Sequence, residues 1–406
     1  MPECHPFCGW LYNPEKVRFE EVFAPPYDIV SEEEIRYFKQ KSPYNIFHLE
    51  LPESPEKAQL ILQNFIHQKI LVKNSLPTLY YYEIEFPFEE KIHLRRGYIL
   101  LTRLYPFEEG IILPHEKVYS KITEDRLNLF KATHCQFSQI FSLYEDPNLE
   151  TFKDLPENLN FYFEVTFNQE IHRLAKIQDL NFIQKVLNYL SDKKFFIADG
   201  HHRYTTALKF KSLKEKQCHN STNKYHYISM YICPFEEKGL LMLPTHRVYN
   251  EKYYSPLISN LETYCDLIKE IPLSQWYLEK KQYDQTFSNF FLFKKEKIKI
   301  FSFKEAFLKS ERDADFLELP LFHFLRIIEE VLKIKEKDLK EAGEVEFFGS
   351  EKEAIDKAKK SGFAILFPRS PTKLLKKIAL KGKTMPHKAT FFYPKILTGA
   401  VIYKMD

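Results

Sequence analysis

The chain is 406 residues long and nearly charge-balanced, with 59 Lys and Arg against 56 Asp and Glu, and 44% of it is hydrophobic, including 37 Phe and 25 Tyr. That length and apolar content can fill more than one sizeable core, so two domains, or one large domain with an appendage, are expected. A net charge of +3 is too small to make nucleic acid or an anionic membrane the expected partner, and no apolar run approaches the ~18 residues of a membrane-spanning helix. The opening Met1-Pro2-Glu3-Cys4-His5-Pro6 has neither the basic region nor the apolar stretch of a secretory signal. Six scattered cysteines then read as reduced thiols in a cytoplasmic protein. Cys4-His5-x-x-Cys8 has zinc-ligand residue types, but no second pair follows at finger spacing.

Glycine is scarce, only 10 in the chain, against about 7% in average usage. The scarcity removes the Gly-x-x-x-x-Gly-Lys-Ser/Thr phosphate loop, the Gly-x-Gly-x-x-Gly fingerprint and the Gly-x-Ser-x-Gly elbow. A nucleotide would have to be held by another device.

In chain order, Glu20 to Ala24 reads as a strand leading into the rigid turn Pro25-Pro26-Tyr27-Asp28. Asp28 is a turn former or a site residue, and by itself better fits the turn. Ser31 and Glu34 make a capping box for a helix through Lys41, and Ser54-Pro55 opens another. Leu79–Phe86 and Ile92–Leu104 read as a hairpin. Pro114-His115-Glu116-Lys117 follows, and then Glu124-Asp125-Arg126-Leu127. His115 and Glu116 supply a carboxylate beside an imidazole for base or metal-ligand work; Asp125 and Arg126 can ligate magnesium and clamp phosphate, or form a solvated helix face. Strands are expected at Ile140–Tyr144, 160–167 and Glu170–Ile177, with a helix over Phe182–Leu190.

The stretch Phe195-Phe196-Ile197-Ala198-Asp199-Gly200-His201-His202-Arg203-Tyr204 carries the chemistry. Four apolar residues make a buried strand, Asp199-Gly200 a turn, and Tyr204, Ala207 and Leu208 the apolar face of a helix. The first helical turn therefore bears two histidines and an arginine, at the end the macrodipole already makes positive. An anion at the helix N-terminus removes that conflict. In the alternative, Asp199 caps the helix and pairs with Arg203 while the histidines are merely exposed.

Tyr225–Cys233 and Leu240–Leu243 read as a hairpin delivering Thr245-His246-Arg247, a strand end that meets either the central anion or nearby carboxylates. Beyond Glu251 come Lys-rich amphipathic helices, the clearest over Leu319–Lys335. Strand Val345–Phe348, helix 351–360, strand Phe363–Phe367 and helix Thr372–Leu380 alternate as a small α/β unit. The tail, Met385-Pro386-His387-Lys388-Ala389-Thr390 through Lys395, ends in a strand over Gly399–Tyr403. Lys388, Thr390 and Lys395 suit a second phosphate or carboxylate contact, or a basic edge strand shielded by charge and proline.

Ala-Asp-Gly-His-His-Arg-Tyr-x-x-Ala resembles the signature of the family called domain of unknown function 1015. Ala-Pro-Pro-Tyr-Asp, His115-Glu116, Asp125-Arg126, His246-Arg247 and the closing motif match it too, from Ala24 to Gly399. The central box is also similar to the Gly-x-His-Arg box of the ParB/sulfiredoxin-like fold, which includes nucleotide-binding ParB proteins and free serine kinases and uses it on nucleotide phosphates. The resemblance implies an α/β chain (α+β, mixed sheet) with a ParB/sulfiredoxin-like core over residues 1–250. A helical and α/β domain over 251–406 would close the site with its last motif. Val118, Thr205 and Ala389 depart from the usual Thr, Glu and Ser, which bears on whether this member is active.

The resemblance implies phosphoryl transfer, as kinase or phosphatase, on a small polar metabolite such as serine or phosphoserine, with Mg²⁺ and ATP, ADP or another phosphate donor. Glu116, His115, Asp199 and His202 are the catalytic candidates. Gly200, His201, Arg203, Arg126, His246, Arg247, Lys388 and Lys395 are the phosphate contacts, and Asp125 is the metal ligand. The alternative is a ParB-like nucleotide-binding regulatory protein without catalysis.

Overall fold

The computed structural model describes residues 1–116, 120–217, 223–284, 286–309 and 314–405; Val118 lies outside them. It divides into two compact units, one of Met1–Pro114, Val118–Leu240 and Pro394–Asp406, the other of His115–Lys117 and Leu241–Tyr393. Besides the short excursion at 115–117, the chain passes from the first unit to the second after 240 and returns at 394. None of the described helices is long and apolar enough to cross a membrane.

The first unit is built on a mixed sheet of strands β1 (Cys4–His5), β2 (Leu79–Phe88), β3 (Lys91–Arg103), β4 (Ile112–Leu113), β5 (Ile140–Tyr144), β6 (Phe161–Phe167), β7 (Glu170–Ile177), β8 (Phe195–Asp199) and β9 (Tyr227–Pro234). Their order is β4-β8-β5-β9-β3-β2-β7-β6, with β1 on β3. The pairs β8–β4 and β9–β5 are parallel and the rest antiparallel. Helices α1 (Phe19–Val22), α2 (Glu32–Lys41), α3 (Phe47–Glu50), α4 (Pro55–His67), α5 (Ser120–Thr133), α6 (Leu180–Leu190) and α7 (His201–Gln217) complete it.

Local chemistry explains most of these bounds. At α2 the Ser31 hydroxyl accepts the Glu34 N–H at 3.2 Å and Glu34 accepts the Ser31 N–H at 2.7 Å, the reciprocal capping box. At α4 the Ser54 hydroxyl accepts the Lys57 N–H at 3.2 Å, with Pro55 in the first turn. Two expectations fail. The stretch read as a strand over Glu20–Ala24 is mostly helix α1, with Ala24 making only a bridge to Thr398, because a lone run of apolar residues carries no period to separate helix from strand. Strand β9 does not form a hairpin with the strand that follows it; it lies in the sheet interior between β5 and β3, where its almost wholly buried residues belong.

The second unit contains β10 (Leu241–Pro244), β11 (His246–Asn250), β12 (Cys265–Pro272), β13 (Asn289–Lys294), β14 (Lys297–Phe303), β15 (Val345–Phe348), β16 (Gly362–Leu366) and β17 (Thr390–Tyr393). Its main helices are α8 (Pro320–Leu332), α9 (Glu336–Glu341), α10 (Glu351–Ser361) and α11 (Thr372–Leu380). The six-stranded sheet runs β12-β14-β13-β16-β11-β15, and every pair in it is antiparallel. The alternation read as an α/β unit is therefore a split crossover: β15 and β16 share a direction, joined by α10, with β11 inserted antiparallel between them. Trp276, Phe291, Ile300, Ile355 and Leu366 sit in its apolar core.

Trp276 is fully buried, packs 4.6 Å from Phe291 and donates its indole N–H to Glu351 at 2.9 Å. Trp276→Ala should cost about 3–5 kcal/mol. Hydrogen exchange should show the loss as faster opening of β13 and β14, with the first unit unaffected.

Candidate anion site

In the first unit, β8 ends at Asp199 and the chain turns through Gly200 at φ +96° directly into α7. A side chain at Gly200 would be strained by that φ, and its Cβ would stand 3.0 Å from the Ile140 side chain and 3.2 Å from the Arg203 guanidinium. Tyr204 makes the first helical bond, to the Gly200 carbonyl at 2.9 Å. The amides of the turn before it thus lie at the positive end of the helix, with no intrahelical acceptor.

Arg203 does not project from this turn. It is 8% exposed, folds back to donate Nη1 to the Gln139 carbonyl at 2.5 Å, and brings Nη2 within 3.7 Å of Asp199 Oδ2. Lys395 donates to the same Oδ2 at 3.0 Å. One carboxylate oxygen is therefore shared by two cations. Burial works against the Arg203 charge, yet Asp199, with Asp28 and Glu50 nearby, holds its pKa above the ordinary value. The pairing of Asp199 with Arg203 expected in the second reading of the sequence is present. The exposed histidines of that reading are not: His201 is buried and His202 half-buried.

Behind the turn lies a residue that no motif marked. Glu50, at the end of α3, is 4% exposed. Arg126 donates Nη1 to its carbonyl at 2.7 Å, stands 3.5 Å from its Oε1 and stacks 4.7 Å over the Tyr27 ring. The Ser138 hydroxyl donates to Oε1 at 3.4 Å. Both carboxylate contacts are long, and burial pushes the Glu50 pKa up against the pull of Arg126 and Arg203. A cavity of about 20 Å³, room for a water, is lined by Glu50, Arg126, Gln136, Ser138 and Arg203. The only sequence signal was a single acid inside the apolar run from Ile46 to Leu51. Asp125, beside Arg126 on α5, is exposed. No group of three or more His, Cys, Asp or Glu able to hold a metal stands together among the described residues.

The second unit gathers the remaining candidates. Glu116 accepts the Lys388 N–H at 3.1 Å and lies 2.7 Å from His387 Nδ1. The His115 carbonyl accepts the Met385 N–H at 2.7 Å, and its Nε2 is 3.1 Å from the Thr390 hydroxyl. Arg247 is fully buried: it donates to Glu336 at 3.1 Å and to the carbonyls of Thr245, His387 and Lys388 at 2.6–3.0 Å. Arg247 thus pairs with a carboxylate from a buried position. His246 is buried too, accepts the Phe367 N–H at 3.2 Å, and is pushed down to about 3 by burial and by Arg247, which keeps it neutral. Lys388 is held at φ +50° by these clamps on its own N–H and carbonyl. Ala389 is buried beside it. His115, Glu116, His246, Arg247 and Lys388 thus belong to the second unit, and Arg126, Asp199 to Arg203 and Lys395 to the first.

Gly200→Ala should destabilise the first unit by about 1–2 kcal/mol or more, from the left-handed backbone alone, measured by urea denaturation. Glu50 makes a pH-dependent contribution. Because its folded pKa is raised, the folded state binds its proton more tightly than the unfolded chain does. Its contribution to stability therefore falls as pH rises from the ordinary carboxylate value through the folded one. The cost of Glu50→Gln should accordingly shrink or reverse between pH 4 and pH 8, read from paired denaturation curves.

Comparison with solved structures finds a free serine kinase in complex with AMP, at 11% identity over 72% of this chain and 86% of that one, with a TM-score of 0.39. It also finds SbnI with a C-terminal truncation from Staphylococcus aureus, at 11% identity over 75% and 86% with a TM-score of 0.38. A conserved hypothetical protein from Pyrococcus furiosus matches at 12% identity over 73% and 92%, with a TM-score of 0.36. Comparison with the curated proteins finds no match. The family model described as "Protein of unknown function (DUF1015)" matches residues 4–330, and the chain belongs to that family.

Proposed function

We propose that the protein transfers a phosphoryl group to or from a small polar metabolite such as serine or phosphoserine, and that the turn from Asp199 to Arg203 holds the phosphate. One observation carries the reading: a helix N-terminus, opened by a glycine in a left-handed conformation, with Lys395 and Arg203 drawn to a single carboxylate oxygen beside it. The amides of the turn stand at the positive end of α7, and Lys395 brings a second cation to the Asp199–Arg203 pair, which favours an anion. In this reading the turn amides, His201, His202 and Lys395 contact phosphate, and Arg203 stands behind them as the fixed charge. Phosphoryl transfer needs little more than such positioning, charge stabilisation and a group to take or give a proton. His202 and Asp199 in this unit are assigned the proton-handling role, with His115 and Glu116 tested alongside them. Any Mg²⁺ would arrive on the donor phosphates, since the described residues supply no cluster to hold it alone.

The binding-protein reading has its own supporting observation. Thr205, two residues beyond the box, replaces an acid of the usual pattern, and its buried hydroxyl has no hydrogen-bond partner among the described residues.

The deciding assay supplies Mg²⁺ with ATP, ADP or pyrophosphate plus serine, and separately phosphoserine alone, and follows each by phosphorus NMR. A new phosphorus resonance is expected in at least one mixture, and His202→Ala should slow its growth by roughly 10²–10⁴-fold, the usual share of a proton-transfer group. Nucleotide binding without transfer would establish the regulatory reading instead; neither binding nor transfer would end both.

A further inference from the structure

The last residues of the chain make almost no regular structure, yet nearly all are buried. From Pro394 they thread through the first unit on main-chain hydrogen bonds. The Leu397 N–H donates to the Tyr82 hydroxyl at 3.3 Å, Thr398 to the Ala24 carbonyl at 2.8 Å and Gly399 to the Phe137 carbonyl at 2.9 Å. Ile402 donates to the Trp10 carbonyl at 2.9 Å and Met405 to that of His134 at 2.8 Å. Gly399 is at φ +90°, and a Cβ there would come within 3.1 Å of Ile46. Lys395 stands at the head of this strap, so the position of its ammonium against Asp199 depends on how the strap is seated.

Gln139 joins the strap to the turn. Its main-chain carbonyl takes the Arg203 Nη1, and its side-chain Nε2 donates to the Val401 carbonyl. The residue is 3% exposed, and its Oε1 has no hydrogen-bond partner among the described residues, so the Val401 bond orients the amide. Breaking it would leave a buried carbonyl without a donor, which favours keeping the strap in register. The two bonds are chemically separable, because only one of them uses the side chain.

We propose that Gln139 is a positioning residue of the anion site, setting Lys395 against Asp199 and the first turn of α7 by holding the strap at Val401. The proposal rests on the reading of that turn as a phosphate site. It requires that Gln139 act through Lys395 rather than on its own.

The test uses Gln139→Met, which keeps the side-chain size and the carbonyl bonded to Arg203 but removes the Nε2 donor. Inorganic phosphate, ADP and phosphoserine are titrated calorimetrically into the full-length wild type, Gln139→Met, Lys395→Met and the double variant. Each single variant should bind the wild type's ligand about tenfold more weakly, the scale of one charge-assisted contact. The double variant should be no weaker than Lys395→Met alone, because residues acting through one contact are not additive. Unchanged affinity in Gln139→Met, or losses that add, would overturn the role of Gln139. A wild type that binds none of the three probes would overturn the phosphate reading as well, so the two failures are distinguishable. Without ligand, hydrogen exchange of residues 396–402 should quicken in Gln139→Met, and unchanged protection there would also overturn the proposal. If Gln139→Met does not fold, Tyr82→Phe, which removes the acceptor for the Leu397 N–H, must give the same pattern in both measurements.

Discussion

One carboxylate oxygen ties three separate parts of the first unit together. Asp199 Oδ2 faces Arg203 from the helix that follows it and Lys395 from the far end of the chain. Each of the three side chains is largely buried, where an ion pair with one member removed is costly. The pairing therefore makes the strand end, the helix start and the terminal strap mutually dependent. The glycine between Asp199 and Arg203 is what lets the guanidinium fold back far enough to join them.

Both units handle buried charge in the same way, by spending it on the backbone. Arg247 satisfies three carbonyls and one carboxylate, Arg126 a carbonyl and a carboxylate, Arg203 a carbonyl and a carboxylate. A guanidinium is suited to this because its donors are arranged in a rigid fork. Elsewhere in the first unit the buried Tyr82 hydroxyl meets His172 at 2.8 Å, whose other ring nitrogen lies 3.2 Å from Glu170. Burial lowers the His172 pKa, so this chain of polar groups fits a neutral imidazole. The arginines marked in the sequence as anion clamps are thus anchored to the fold.

Much of the local structure was legible from residues alone. The capping box at Ser31, the proline-opened helix at Pro55 and the strand Ile140–Tyr144 follow from side-chain chemistry and apolar patterning within a few residues of each element. The strand–Gly–helix turn at 195–204 was legible for the same reason, since a scarce glycine between an apolar run and a 3.6-residue period admits few backbones. Partners were legible where a short loop joins two strands, as in the hairpin of β2 and β3, but not between strands distant in sequence. The hairpin expected after β9 depended on which sheet each strand would enter, and that is decided by burial against residues far away in sequence.

By itself, then, the sequence determined where the turn lies, that a glycine and an acid open it, and that cations follow it. Tertiary structure alone decided what those cations do. The sequence could not show that Arg203 would turn inward to Gln139, because the choice between solvent and a buried carbonyl depends on a strand more than sixty residues earlier. Nor could it single out Glu50, whose importance comes from burial beside Arg126 and not from its neighbours in the chain. The strap is the clearest case: a tail read as ending in a strand over Gly399–Tyr403 is a buried tie with regular pairing only at Tyr403–Lys404. The backbone groups that accept its hydrogen bonds come from the N-terminal segment and from the residues around β5, positions that only the folded chain brings to one place.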